Sequence, residues 1–422
     1  MNLLIKQGRV IDPQNKIDKI TDIFISEGKV AQIKTKINES NCRIIDARDK
    51  VVIPGLVDIH CHLREPGRED EETVFTGAEA GAKGGFTTLC CMPNTNPVID
   101  NQEVVKFIYS KGEKAKINIY PFGAVSKKQE GLELAEIGEL KKAGVIGLSD
   151  DGNPISNAKF MRRALEYTRM FGLLISVHCE DKDLSKNGLM NESFISTELG
   201  LAGVPNIAES IMVGRDIQIA KFLAAHIHFA HISTQESVEL IREAKRSGIN
   251  ITCETAPHYF ALNEQCMKSF DTHFKINPPL RSNNDVEAIK QGLKDGTINA
   301  IATDHAPHSQ EEKELPFDKA VFGTIGLETA LALGITELVE KNILTLPQLI
   351  EKMSVNPAKI FNLPAGDISI GSSADLAIVD LDKEWVVKKE AFLSKSKNSA
   401  FLGRKLKGKV IVTICNGRVA YD

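Results

Sequence analysis

No stretch of this 422-residue chain stays apolar long enough to cross a bilayer or to serve as a signal-peptide core; MNLLIKQGRVIDPQN reaches Lys6 after only a few apolar residues. The expectation is a cytoplasmic protein without a membrane partner. An excess of charge of one sign is also missing. With 52 Lys+Arg against 56 Asp+Glu the formal net charge is −4, which gives no footing for nucleic acid or an anionic membrane. An anionic small molecule would have to be gripped by a local cation, because the overall field will not attract it. The eight cysteines (42, 61, 90, 91, 179, 253, 266 and 415) contain no CxxC pair, so reduced, packed thiols are expected. No GxGxxG follows the first strand, which removes the main support for a doubly wound dinucleotide-binding sheet.

What is present is a globular composition, 42% hydrophobic and 26% charged. The two ends of the chain resemble each other. IKQGRVID (5–12), ISEGKVAQI (25–33) and ICNGRVAYD (414–422) each place a Gly-basic-Val turn between short β-rich runs and read as hairpins, Asn416-Gly417 most strongly. ADLAIVDLD (374–382) adds an alternating strand. A small β-sandwich built from residues 1–54 and 365–422 follows, with junctions at Pro54-Gly55 and Pro364-Ala365-Gly366.

Residues 55–364 change texture. Short apolar runs alternate with amphipathic stretches such as 159–172, 211–225 and 285–296, the βα signature. Strand candidates lie at 51–60, 85–93, 117–125, 144–151, 173–180, 226–233, 250–258 and 299–308. That pattern predicts an α/β fold, a (β/α)8 TIM barrel, whose catalytic groups belong at the C-terminal strand ends. The unusual polar residues fall there. His60, His62 and Arg64 close the first candidate and share parity, so they point the same way. Asn94 follows the second, Asp150 and Asp151 end the fourth, and His178 ends the fifth. His231 lies near the end of the sixth, His258 ends the seventh, and Asp304, His305 and His308 terminate the eighth. On the sixth strand, nearness to the C-terminal end selects His231 over the wall residues His226 and His228. One carboxylate of the Asp150-Asp151 pair can bridge two metal ions; helix capping is the plainer alternative. Cys61 and Cys179 have the opposite parity to their histidine neighbours and read as packing. A His/carboxylate set without thiolate suits zinc in an open, catalytic site, with manganese or cobalt as substitutes.

The motifs GLVDIHCHLREPG (55–67), MPNT (92–95), SDDG (149–152), HCED (178–181), FAHIST (229–234), ETAPHY (254–259), KINPPLR (275–281) and ATDHAPH (302–308) stand in the order found in dihydroorotases, and EEK (311–313), Phe322-Gly323 and GLET (326–329) extend the match. The sequence therefore resembles that amidohydrolase family across the whole barrel, most closely its bacterial type I branch. The resemblance implies a first zinc on His60, His62 and Asp304, a second on His178 and His231, and Asp151 as the bridge. It implies substrate contacts from His62, Arg64, Asn94, Asn277, His308, Phe322 and Gly323, and leaves His258 and His305 as supports of the ligands. Related hydantoinases and allantoinases bridge with a carboxylated lysine, and VIGLSDD contains none; Lys141 and Lys142 lie upstream in a helix.

The implied reaction is reversible, metal-dependent cyclisation of N-carbamoyl-L-aspartate to L-dihydroorotate in pyrimidine (UMP) biosynthesis, with Asp304 moving the proton between water and the ring nitrogen. The family further suggests a homodimer and an association with aspartate transcarbamoylase. The charged segment 309–322 reads as a mobile flap over the site. Two rival readings remain: a cousin acting on hydantoin, dihydropyrimidine or allantoin, and a non-catalytic scaffold, which would lack metal ligands that are all present here.

Overall fold

The computed structural model describes residues 2–422. At its centre a parallel barrel closes on itself. Its first three strands, Leu56–Cys61, Phe86–Cys91 and Asn118–Pro121, pair in order. Leu148 alone stands for the fourth, bridging Gly123 on one side and Ile175 on the other. Ser176–Val177, Ile227–Phe229, Ile251–Thr255 and Ala300–Ile301 continue the ring. His305 then pairs in parallel with Cys61 and closes it. Every residue of the first two strands is buried, as a sheet covered by helices outside and filled by side chains inside requires.

The helices outside form for local reasons. In Gln235–Arg246 the Thr234 side chain caps the amide of Ser237, Glu236 sits in the first turn, and Lys245 and Arg246 occupy the last. Val238, Ile241 and Ala244 face the barrel at helical spacing.

Both chain ends join one sheet, in the order 418–421, 405–415, 376–386, 51–54, 3–12, 17–26, 29–34, with 43–46 also paired to the 3–12 strand. The sheet folds around its own core, to which Leu3, Ile5, Ile23 and Ile25 come from one end of the chain and Leu376, Ile378, Val412 and Ile414 from the other. A β-sandwich on a TIM barrel is the result. Between its last long strands the chain leaves the sheet: residues 392–400 run along the barrel mouth, where Ser394 reaches Glu72, and Asn398 bonds Ala306 and Gly323.

Three expectations need correction. The first strand candidate, 51–60, is two strands in different sheets, because the chain turns at Gly55, where a Cβ would come within 2.1 Å of Thr87 Oγ1. The 5–12 segment is no hairpin. Gln7 takes the positive φ (60°) inside a continuous strand, and the register shifts there as a bulge. The other two hairpins do turn at Glu27-Gly28 and Asn416-Gly417, all with positive φ. The fourth strand shrinks to one bridging residue.

Candidate active site

The C-terminal ends of the barrel strands converge on one carboxylate. Asp151 Oδ1 lies 3.4 Å from His60 Nε2, 3.3 Å from His231 Nε2 and 3.8 Å from His178 Nδ1, while its Oδ2 lies 3.6 Å from His62 Nε2. Asp304 Oδ1 approaches the other side of the first pair, 3.3 Å from His62 Nε2 and 3.7 Å from His60 Nε2. Donor atoms of His60, His62 and Asp151, and separately of Asp151, His178 and His231, lie within 4.8 Å of one another. All six side chains are buried. The neighbouring acid is turned away from this cluster. Asp150 accepts from the amides of Val125 and Ser126 and from the Ser126 hydroxyl, pinning the loop after the third strand.

Electrostatics show what such a cluster needs. Burial would raise the Asp304 carboxyl, but the imidazoles of His62 and His60 outweigh it and hold it at about 2. Asp151 is likewise depressed well below the usual carboxylate range, burial being overcome chiefly by His60 and His231. Burial would lower His60, yet Asp151 and Glu254 raise it well above an ordinary imidazole. The two acids thus demand positive charge among them, which a divalent cation supplies without protonating the imidazoles. His60 Nε2 is buried with no hydrogen-bond partner, although it points at both acids. An unpartnered imidazole nitrogen there fits a metal ligand, and the nitrogen and oxygen donors fit zinc chemistry.

The outward nitrogens are held in turn. His60 Nδ1 donates to Glu254 Oε1 (2.7 Å), His178 Nε2 to Glu180 Oε2 (2.8 Å), and His62 Nδ1 to Asn94 Oδ1 (2.9 Å). Each bond fixes a tautomer that leaves the inward nitrogen bare. Sequence reasoning missed Glu254 and Glu180, although both lie in family motifs, ETAPHY and HCED; a charge on a buried strand end was the available signal. Glu254 also accepts from His228 Nε2 at 3.2 Å, so that wall histidine supports the centre from behind. His258 Nε2 is buried without a partner, and burial lowers the ring to about 4. His305, expected to support the ligands, instead reaches Glu72 and accepts from the Gly326 amide. Its side chain hydrogen-bonds none of the cluster. Cys61 and Cys179 are buried thiols whose pKa burial pushes far up.

A cavity of about 210 Å³ opens over Asp151 and Asp304, lined also by His62, Arg64, Asn94, Asn277, His308, Phe322 and Gly323. Arg64 is its only permanent cation. Asn277 donates to Glu180 Oε2 at 3.1 Å. Burial first, and then the Arg64 charge, keep His308 neutral. Gly323 permits close packing: at φ 143° its Cβ would fall 2.8 and 2.9 Å from His308 ring atoms. The site can hold a metal beside a carboxylate base and an anion beside Arg64.

Comparison with known proteins agrees with this architecture. The family model described as dihydro-orotase-like matches residues 49–237. The dihydroorotase of Acetivibrio thermocellus is 52% identical over 418 residues, covering 99% of this chain and 98% of its own length. That of Endomicrobium trichonymphae is 50% identical over 424 residues, covering 100% of both. Among solved structures, the L-hydantoinase (dihydropyrimidinase) of Arthrobacter aurescens superposes with a TM-score of 0.89 at 27% identity, over 100% of this chain and 96% of that one. The dihydropyrimidinase of Brevibacillus agri shares the fold at a TM-score of 0.88, over 100% and 95% of the two chains.

Proposed function

This chain belongs to the dihydroorotase family, and from that membership we propose how its own residues carry the reaction. It is a hydrolase acting on cyclic amides, which interconverts N-carbamoyl-L-aspartate and L-dihydroorotate. We assign it to the type I branch and, from its kinship with dihydroorotases, to the cytoplasm; among the described residues no helix is long and apolar enough to cross a membrane. The observation that carries the assignment within the fold is Asp151. It stands among four imidazoles where hydantoinase-type relatives are expected to place a modified lysine, and no lysine lines the cavity.

In this reading His60, His62 and Asp304 would hold one zinc ion and His178 and His231 a second, with Asp151 available to both. When bound, the ions supply Lewis acidity to the amide carbonyl and bring the pKa of water from about 15.7 toward about 7. Asp304, kept ionised, takes a proton from the attacking water and delivers it to the ring nitrogen as the C–N bond breaks. Arg64 offers the substrate carboxylate two parallel N–H donors, a geometry a lysine does not match. Asn94, Asn277, His308 and the Phe322-Gly323 pair position the ring. A hydantoin carries no carboxylate for Arg64 to grip.

The test is spectrophotometric hydrolysis of dihydroorotate with and without a chelator, run beside hydantoin and allantoin. Dihydroorotate turnover abolished by chelator and restored by zinc is the expected result. Faster turnover of hydantoin or allantoin would reassign the enzyme, and a metal-free, inactive protein would make it a scaffold. We carry over from the resemblance a homodimer and an association with aspartate transcarbamoylase; sedimentation of the chain alone and mixed with that enzyme checks both.

A further inference from the structure

A buried acid that the reaction scheme does not use lies behind the carboxylate-gripping wall of the cavity. Glu71, 1% exposed, follows the first barrel strand. Its amide donates to Arg68 O and its carbonyl accepts the Ser396 hydroxyl at 2.6 Å, so its backbone is tied to the 392–400 segment. Its carboxylate serves two side chains of the substrate wall together. Oε1 accepts from His308 Nδ1 at 2.7 Å, and Oε2 lies 3.1 Å from Arg64 Nε. Arg68 Nη2 also donates to Oε1, at 3.1 Å.

These contacts set the chemistry of the wall. With the proton of His308 on Nδ1, its Nε2 is an acceptor, and Arg64 Nη2 stands 3.2 Å from it. Arg64 Nε is further fixed by Pro307 O at 3.0 Å. The guanidinium is thereby held along one edge, which leaves Nη1 free of protein partners in this network. Glu71, His308 and Glu312 also have the spacing of a cation site. Two guanidinium groups already neutralise those acids, however, with Arg68 reaching Glu312 at 2.7 Å, so a metal ion would sit against like charge.

We propose that Glu71 is a positioning residue for the substrate carboxylate: its two oxygens hold Arg64 and His308 in the orientations that receive the anion. The inference rests on the reading of Arg64 and His308 as the substrate grip. His308 donates to Oε1, whereas Arg64, whose one Nε hydrogen goes to Pro307 O, meets Oε2 as an ion pair, so an acceptor oxygen on one side and negative charge on the other are both required. An amide of the same shape offers one acceptor and turns a donor toward the other partner. Glu71→Gln therefore preserves volume while misaligning one of the two side chains. Glu71 makes no hydrogen bond or ion pair with the six candidate zinc ligands.

The test is steady-state kinetics of the zinc-loaded full chain carrying Glu71→Gln, with bound metal and melting temperature measured on the same preparation. KM for dihydroorotate should rise about tenfold or more, as for loss of a charge-assisted bond, with kcat changing less than about threefold and metal content unchanged. A KM within about twofold of the parent, or an equal fall of kcat with loss of metal, would overturn the proposal. Glu71→Asp, which keeps the charge but shortens the reach, carries the same test if the glutamine variant does not fold. Arg64→Ala is measured in parallel. If it leaves KM unchanged, the grip itself is wrongly assigned; if it raises KM while both Glu71 variants do not, only the positioning role falls.

Discussion

Three residues of the site hold left-handed backbone without being glycine: Arg64 at φ 58°, His231 at 32° and Asp304 at 46°. Each such placement costs on the order of 1–3 kcal/mol and persists only where the surroundings over-determine it. All three lie at or just beyond strand ends, Asp304 next to the closing bridge between Cys61 and His305. Asparagine tolerates this backbone region well, so Asp304→Asn keeps the backbone while removing the proposed base, which is also a proposed metal ligand. Turnover of dihydroorotate should fall by roughly 10²–10⁴-fold while the circular dichroism spectrum is unchanged; near-native activity would mean another group moves the proton. At Gly323 the constraint is space. A methyl group there meets the His308 ring, and Gly323→Ala should raise KM more than it lowers kcat, as read from saturation curves.

At the scale of elements, the segment 309–322, read as a flap from its charge, is tethered from beneath by two lysines. Ser309 caps a short helix, Gln310–Lys313. From there Lys313 Nζ reaches the carbonyls of Val321 (3.0 Å) and Gly323 (3.1 Å), and Lys275 Nζ those of Phe317 and Ala320, both at 2.7 Å. Both lysines are almost wholly buried. Their hydrophilic neighbours in sequence hide this, because the partners are main-chain oxygens that no side-chain pattern reveals. Burial, then the Lys275 charge, lowers Lys313 to about 7. In the unfolded chain that amine keeps its proton to about pH 10.4. Between these values the unfolded state binds the extra proton, so this group makes stability rise with pH across the window and is most unfavourable below it. Urea denaturation should show a steeper climb in unfolding free energy from pH 7 to 10 for the parent than for Lys313→Met. Parallel profiles would place the titration elsewhere.

Across the whole molecule, sandwich and barrel are bound by chain connectivity and by apolar packing, Val410, Cys415 and Ala420 of the sheet lying in the same buried core as the barrel. The strand at 51–54 pairs with 376–379 before the chain enters the barrel, so the C-terminal strands complete a sheet begun at the N-terminus. Truncation after residue 365 should expose the apolar faces of Ile5, Ile23 and Val52 and yield aggregated protein, judged by solubility and size-exclusion elution; a soluble monomer would show the barrel to be self-sufficient. Metal removal acts on the same scale. A ligand bound only by the folded state stabilises it by RT ln(1 + [L]/Kd). Chelation should therefore lower the melting temperature together with activity, and zinc should restore both.

Alternating apolar runs, turn dipeptides and the placing of His60, His62, His178, His231 and Asp304 at strand ends were enough to specify a barrel, a terminal sandwich and the candidate ligands. These are properties of local periodicity, which a chain carries wherever its partners lie. The choice of Asp151 over Asp150 came with the family resemblance, whereas the service of Glu254, Glu180 and Glu71 behind the site and the lysines beneath the 309–323 loop required the folded chain. Those features depend on contacts between segments up to hundreds of residues apart, many made to backbone atoms common to every residue. Periodicity fixes which side a residue faces; only packing in three dimensions decides what it meets there.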